Sequence, residues 1–116
     1  MICIARIYKP AGKRDGWRVL VDRLWPRGLR KDEARVDEWM KEIAPSNALR
    51  NWFGHKPERW VEFERRYCRE LSEKRELIRA LRASEKEHGT VTLLFGAKDE
   101  ERNQAVVLRD VLRAKA

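Results

Sequence analysis

Cysteine is scarce, with only Cys3 and Cys68 in 116 residues. Two thiols cannot form the disulfide framework of a small secreted scaffold, so a reduced, cytoplasmic protein is expected. Histidine is equally sparse: His55 and His88 have no second His or Cys at ligand spacing, and no metal site is expected. No stretch approaches the roughly 20 consecutive apolar residues that a bilayer span needs, and the opening MICIARIYKP has no apolar run behind a basic start. Neither export nor membrane partnership is predicted. The sequence also has no glycine-rich phosphate loop, no dinucleotide fingerprint and no serine in a nucleophile-elbow context. The common cofactor-dependent enzymes are thereby disfavoured, and no cofactor is expected.

Charge and tryptophan, by contrast, are plentiful. Residues are 42 % hydrophobic and 40 % charged, the formal net charge is +8, and Trp17, Trp25, Trp39, Trp52 and Trp60 supply large apolar surfaces. A chain of this length buries enough surface for one self-sufficient core, so residues 1–116 are read as one α/β domain. Within residues 1–35, ten Lys/Arg face four acids, placing six of the eight excess positive charges in the first third. Such a surplus attracts anions, whether a small phosphate or a nucleic-acid backbone; a solvated Arg-rich surface accounts for it equally well.

Ile2 to Tyr8 is β-branched and small up to Lys9-Pro10 and reads as a first strand. Val19-Leu20-Val21 is a short apolar run suited to a buried strand ending near Asp22-Arg23. Val36 to Ala44 reads as a short edge strand or an irregular segment before Pro45. Ser46 is placed to cap a short helix that stops at Gly54. From Glu58 to about Lys86, Trp60, Phe63, Tyr67, Leu71, Ile78 and Leu81 recur at helical spacing, which predicts one long helix. Thr90 to Phe95 reads as the central strand, and Glu101 to Arg113 as a last helix. The sum is a three-layer α/β fold: a small, at least partly parallel sheet flanked by helices.

In a parallel sheet, ligands bind beyond the carboxyl ends of the strands, where loops and helix N-termini converge. Two segments fit that rule: Asp22-Arg23-Leu24-Trp25-Pro26-Arg27-Gly28, and Gly96-Ala97-Lys98-Asp99 with Asn103 beyond it. If the strands are neighbours, Asp22, Arg23, Trp25, Arg27, Lys98, Asp99 and Asn103 share one crevice. Arg23 and Arg27 would offer planar forks to a phosphate or carboxylate, and Lys98 a compact cation. Asp22 and Asp99, flanked by cations, are expected to stay ionised and orient the arginines. Alternatively, Asp22 and Arg23 make internal ion pairs while Trp25-Pro26 plugs the sheet edge. His55 leads into the long helix and has some reach towards the crevice. The aromatic set Trp52, Phe53, Trp60 and Phe63 reads as core by its spacing, not as a base-stacking platform.

The strings VLVDRLWPRG, IAPS followed by LRNWFGHKPERW, and TLLFGAKDEERNQAVVL resemble the YeaO-like family, a branch of the domain of unknown function (DUF) 488 superfamily. The resemblance runs from Cys3 to the final helix. It implies a compact bacterial or archaeal α/β protein and brings no activity with it. Many relatives in the wider superfamily have a cysteine after the last strand and a Cys-His-Arg string at the final helix, where this chain has Gly96-Ala97 and Asn103-Gln104-Ala105. YeaO-like members usually read Asn-His-Ala there, so Gln104 is a further departure. Thiol or cysteine-metal chemistry does not carry over, whereas the Asp-Arg strand end does match, at Asp22 and Arg23.

Three functions are compatible with these residues. The first is an anionic small-molecule site at the strand ends, with chemistry after binding left open. The second is a nucleic-acid-binding module using the basic first third, where Lys9, Lys13, Arg14 and Arg18 lie in a polar segment. The third is a non-enzymatic interaction protein. The sequence leaves the oligomeric state open.

Overall fold

The apolar runs become four strands in the computed structural model, which describes residues 1–114. They are β1 (Ile2–Arg6), β2 (Trp17–Leu20), β3 (Glu38–Trp39) and β4 (Val91–Phe95), arranged β1-β4-β2-β3 with every pairing parallel. The last strand in sequence is thus inserted between the first two. β4 is buried at every position, as its unbroken apolar run requires, and β3 is the edge strand expected between Val36 and Ala44. β2 starts where the chain passes very close to β4: Gly16 has φ +65°, and a Cβ there would stand 2.2 Å from the Thr90 carbonyl oxygen. Only glycine fits this junction.

Five helices complete the fold: α1 (Lys31–Ala34), α2 (Asn47–Phe53), α3 (Trp60–Ser72), α4 (Arg75–His88) and α5 (Gln104–Arg113). The larger core lies between one sheet face and α2–α5, where Val19, Val91, Leu93 and Phe95 meet Phe63, Tyr67, Leu81 and Leu108. Each such buried side chain contributes about 1.5–3 kcal/mol. The opposite layer is thin: Ile7, Leu20 and Leu94 are covered by Ala34 of α1 together with Trp25, Leu29, Val36 and Trp39. Ser46 caps α2 by accepting from the Leu49 amide at 3.1 Å, and Gly54 closes it in the left-handed region, as the sequence implies.

One expected element is corrected. Instead of a single helix from Glu58 to Lys86, a one-turn 3₁₀ segment at Pro57–Arg59 leads into α3, and the chain breaks at Glu73-Lys74 before α4. At 1.5 Å per residue the unbroken helix would run about 43 Å, beyond the 36 Å of the molecule's longest axis. The break lets both helices lay their apolar faces on one sheet. Its trace in the sequence is the gap between Leu71 and Leu77, where Lys74 and Arg75 occupy the positions three and four residues on from Leu71. Lys74 turns inward at the joint and donates to the Ala44 carbonyl at 3.0 Å. No helix among the described residues is long and apolar enough to cross a membrane.

Candidate functional site

Because β4 lies beside β2, the loops that follow these two strands meet. Their meeting point is Asp22, whose Oδ2 accepts from the Gly96 amide at 2.8 Å and whose Oδ1 accepts from the Gln104 side-chain amide at the start of α5. Gly96 is small for a reason: a Cβ there would lie 2.9 Å from Oδ2. Above the contact opens a cavity of about 440 Å³, within the size range of small-molecule sites. Phe53, Phe63, Pro26, Ala44, Pro45 and Ala97 give it apolar walls. Tyr8, Leu24, Arg27, Arg50 and His55 line it as exposed residues.

The electrostatics of Asp22 differ from the expectation that neighbouring cations hold it ionised. Burial dominates and pushes its carboxyl up to about 6, against the lowering influence of the Gly96 amide, Gln104, His55 and Arg50. Desolvation wins because no cation closes on the carboxylate: no ion pair to Asp22 forms among the described residues. Arg23, its sequence neighbour, turns away and donates from Nε to the Pro45 carbonyl at 3.2 Å and from its terminal nitrogen to the Ala44 carbonyl at 3.1 Å. Arg23 thus pins the segment before α2. The Asp99 carboxyl lies below the usual range, chiefly because the Glu101 and Arg102 amides donate to it, with the expected cation, Arg102, a smaller influence.

Of the seven residues singled out in the sequence, the cavity lining includes Asp22, Arg23, Trp25, Arg27 and Asn103. Lys98 and Asp99 stand outside that lining, Lys98 exposed and Asp99 holding the turn before α5. Asn103 is buried and caps α5, accepting from the Val106 amide at 3.2 Å. Trp25 donates to the Leu29 carbonyl at 2.7 Å and sets its ring edge-on to Trp39. Arg27 is exposed and its side chain has no hydrogen-bond or ion-pair partner among the described residues, while its carbonyl accepts from the Tyr8 hydroxyl at 2.9 Å.

Sequence reasoning missed Tyr8, Arg50, Phe53, Phe63 and Gln104 as cavity residues. Arg50 and Phe53 lie three apart on α2, a spacing that puts them on one face, and His55 follows directly after the left-handed Gly54. His55 is itself left-handed at φ 56°, a conformation costing a non-glycine residue about 1–2 kcal/mol. Gln104 stands out in the sequence as a departure from the family pattern, and the structure gives it a partner, Asp22. Among the described residues no cluster of three or more His, Cys, Asp or Glu is placed to hold a metal ion.

An asymmetric parallel sheet with a cavity beyond its carboxyl ends places the chain among small α/β proteins. It belongs to the DUF488 superfamily: the family described as "Inactive DUF488-N3 subclade" matches residues 1–116. It is 42 % identical over 109 residues to the uncharacterized protein YeaO of Escherichia coli strain K12, covering 94 % of each chain. It is 40 % identical over 112 residues to the uncharacterized protein Rv3073c of Mycobacterium tuberculosis strain H37Rv, covering 97 % of this chain and 93 % of the relative. No solved structure matches it.

Proposed function

We propose that the cavity binds a small molecule carrying a phosphate or carboxylate. The observation that carries this reading is the position of two guanidiniums, Arg27 and Arg50, with the imidazole of His55, along the exposed lining of one apolar-walled cavity. Among the described residues Arg27 has no side-chain partner and Arg50 has only a 3.4 Å contact to Asn47, so both forks are available to an anion. Arg23 does not contribute, because its donors are committed to Ala44 and Pro45. The description of the family as inactive supports a role without turnover.

The basic first third supports a nucleic-acid interface less well. Arg18 is buried and Lys9 pairs with Glu100 at 2.6 Å, which removes two of the four cations that the segment offered. Calorimetric titration with phenyl phosphate, benzoate and a short oligonucleotide, all at one ionic strength, tests the proposal. Binding of the small anions by the native protein, lost in Arg27→Ala or Arg50→Ala, is the expected result. Binding of the oligonucleotide alone, with a steep salt dependence, would overturn it.

A further inference from the structure

The cavity separates its charges. Its cationic groups are exposed, whereas its carboxylate is recessed at the junction of β2, β4 and α5. Among the described residues the two are not ion-paired to one another, and apolar side chains make up much of the lining. Asp22 also keeps acceptor capacity in reserve. A carboxylate has about four lone-pair sites, and the chain fills two of them, with the Gly96 amide and the Gln104 side chain. The nearest arginine in sequence, Arg23, is held by the Ala44 and Pro45 carbonyls and leaves that capacity open.

Resting on the anion-site reading above, we infer that the ligand has two poles: an anionic group held by Arg27 and Arg50, and an N–H-bearing group that donates to Asp22. Ligands that carry both groups include an amine bearing an acid across an aromatic ring and a nucleoside monophosphate whose base edge carries N–H groups. A cavity of about 440 Å³ accommodates molecules of this size.

Paired probes test the inference on the native protein without any variant. Phenyl phosphate is compared with 4-(aminomethyl)phenyl phosphate, benzoate with 4-(aminomethyl)benzoate, and inosine monophosphate with guanosine monophosphate, each pair differing in one N–H-bearing group. At neutral pH the N–H-bearing member of at least one pair is expected to bind about tenfold tighter or better, as a charge-assisted hydrogen bond in a recessed site provides. Which pair responds separates an amine-bearing acid from a nucleotide. In Asp22→Asn the discrimination should vanish while the affinity of the plain anion persists, a comparison within one variant that is independent of its stability. Equal affinities within all three pairs would overturn the inference and leave the anion site standing. No binding by any probe would overturn both.

Discussion

Arg18, near the start of β2, and Asp22, two residues past its end, carry opposite charges and are buried and half-buried respectively, yet their surroundings differ in kind. Arg18 is enclosed by its partners: its guanidinium pairs with Asp15, and donates to the Arg35 carbonyl at 2.9 Å and the Ala34 carbonyl at 3.1 Å. Asp22 has hydrogen bonds but no ion pair among the described residues, and it faces a cavity. The Arg18 arrangement welds α1 and the segment before β2 to the thin layer of the fold. The Asp22 arrangement leaves a charged group poorly compensated, and the protein tolerates this at the place where a ligand can complete the set. A buried charge thus reads as structural when its partners are all within the chain, and as a candidate site when space takes the place of one.

The contrast is broken most severely at its closed end. Arg18→Leu strips Asp15 of its partner and leaves the Ala34 and Arg35 carbonyls without their donor, so denaturant unfolding should show a loss of about 3–5 kcal/mol. A loss under about 1 kcal/mol would mean that the guanidinium is hydrated after all.

The open end should respond through pH. Burial pushes the carboxyl of Asp22 up to about 6 in the folded protein from its ordinary 3.8, so between those values the folded state holds the extra proton and stability falls as pH rises. Asp22→Asn removes that slope. Its stability relative to the native protein should improve by up to about 3 kcal/mol between roughly pH 4 and pH 7, with no further change above. A difference independent of pH would show that Asp22 titrates as it does in the unfolded chain. A ligand that donates to the carboxylate should restore the native protein's stability at neutral pH.

Smaller changes sharpen the comparison. Gly96→Ala drives a methyl group against Asp22 Oδ2, and should cost about 1–3 kcal/mol by thermal unfolding while weakening binding of every probe. Arg27→Ala should alter stability by no more than about 0.5 kcal/mol, since the exposed guanidinium has no partner to lose among the described residues. Its effect belongs to anion affinity, and a large loss of stability in this variant would reassign Arg27 to the scaffold.

Much of this was legible before folding. The run Thr90 to Phe95 named the central strand, Ser46 and Gly54 bracketed α2, and the strand-end rule selected Asp22 and Arg27, which line the cavity. The break between α3 and α4 was not legible, because neither proline nor glycine marks it and the helical period continues across it with only a gap at Lys74 and Arg75. The part Arg23 plays was also hidden. An arginine beside a strand end looks like an anion fork until the chain brings two carbonyls, some twenty residues away, within its reach.

The sequence by itself determined most of the elements, the strands, α2 and the last helix among them, since strand patterning, helical spacing, caps and turns are read from neighbours a few residues apart. It also set the chemistry available at each loop. Only the tertiary structure decided which loops meet. The insertion of β4 between β1 and β2 brings Gly96 to Asp22 across 74 residues, and the packing of α2 brings Arg50 and His55 into the lining of the same cavity. The raised carboxyl of Asp22 follows from that assembly, because desolvation depends on what the rest of the chain places around a group, and no local spacing encodes it.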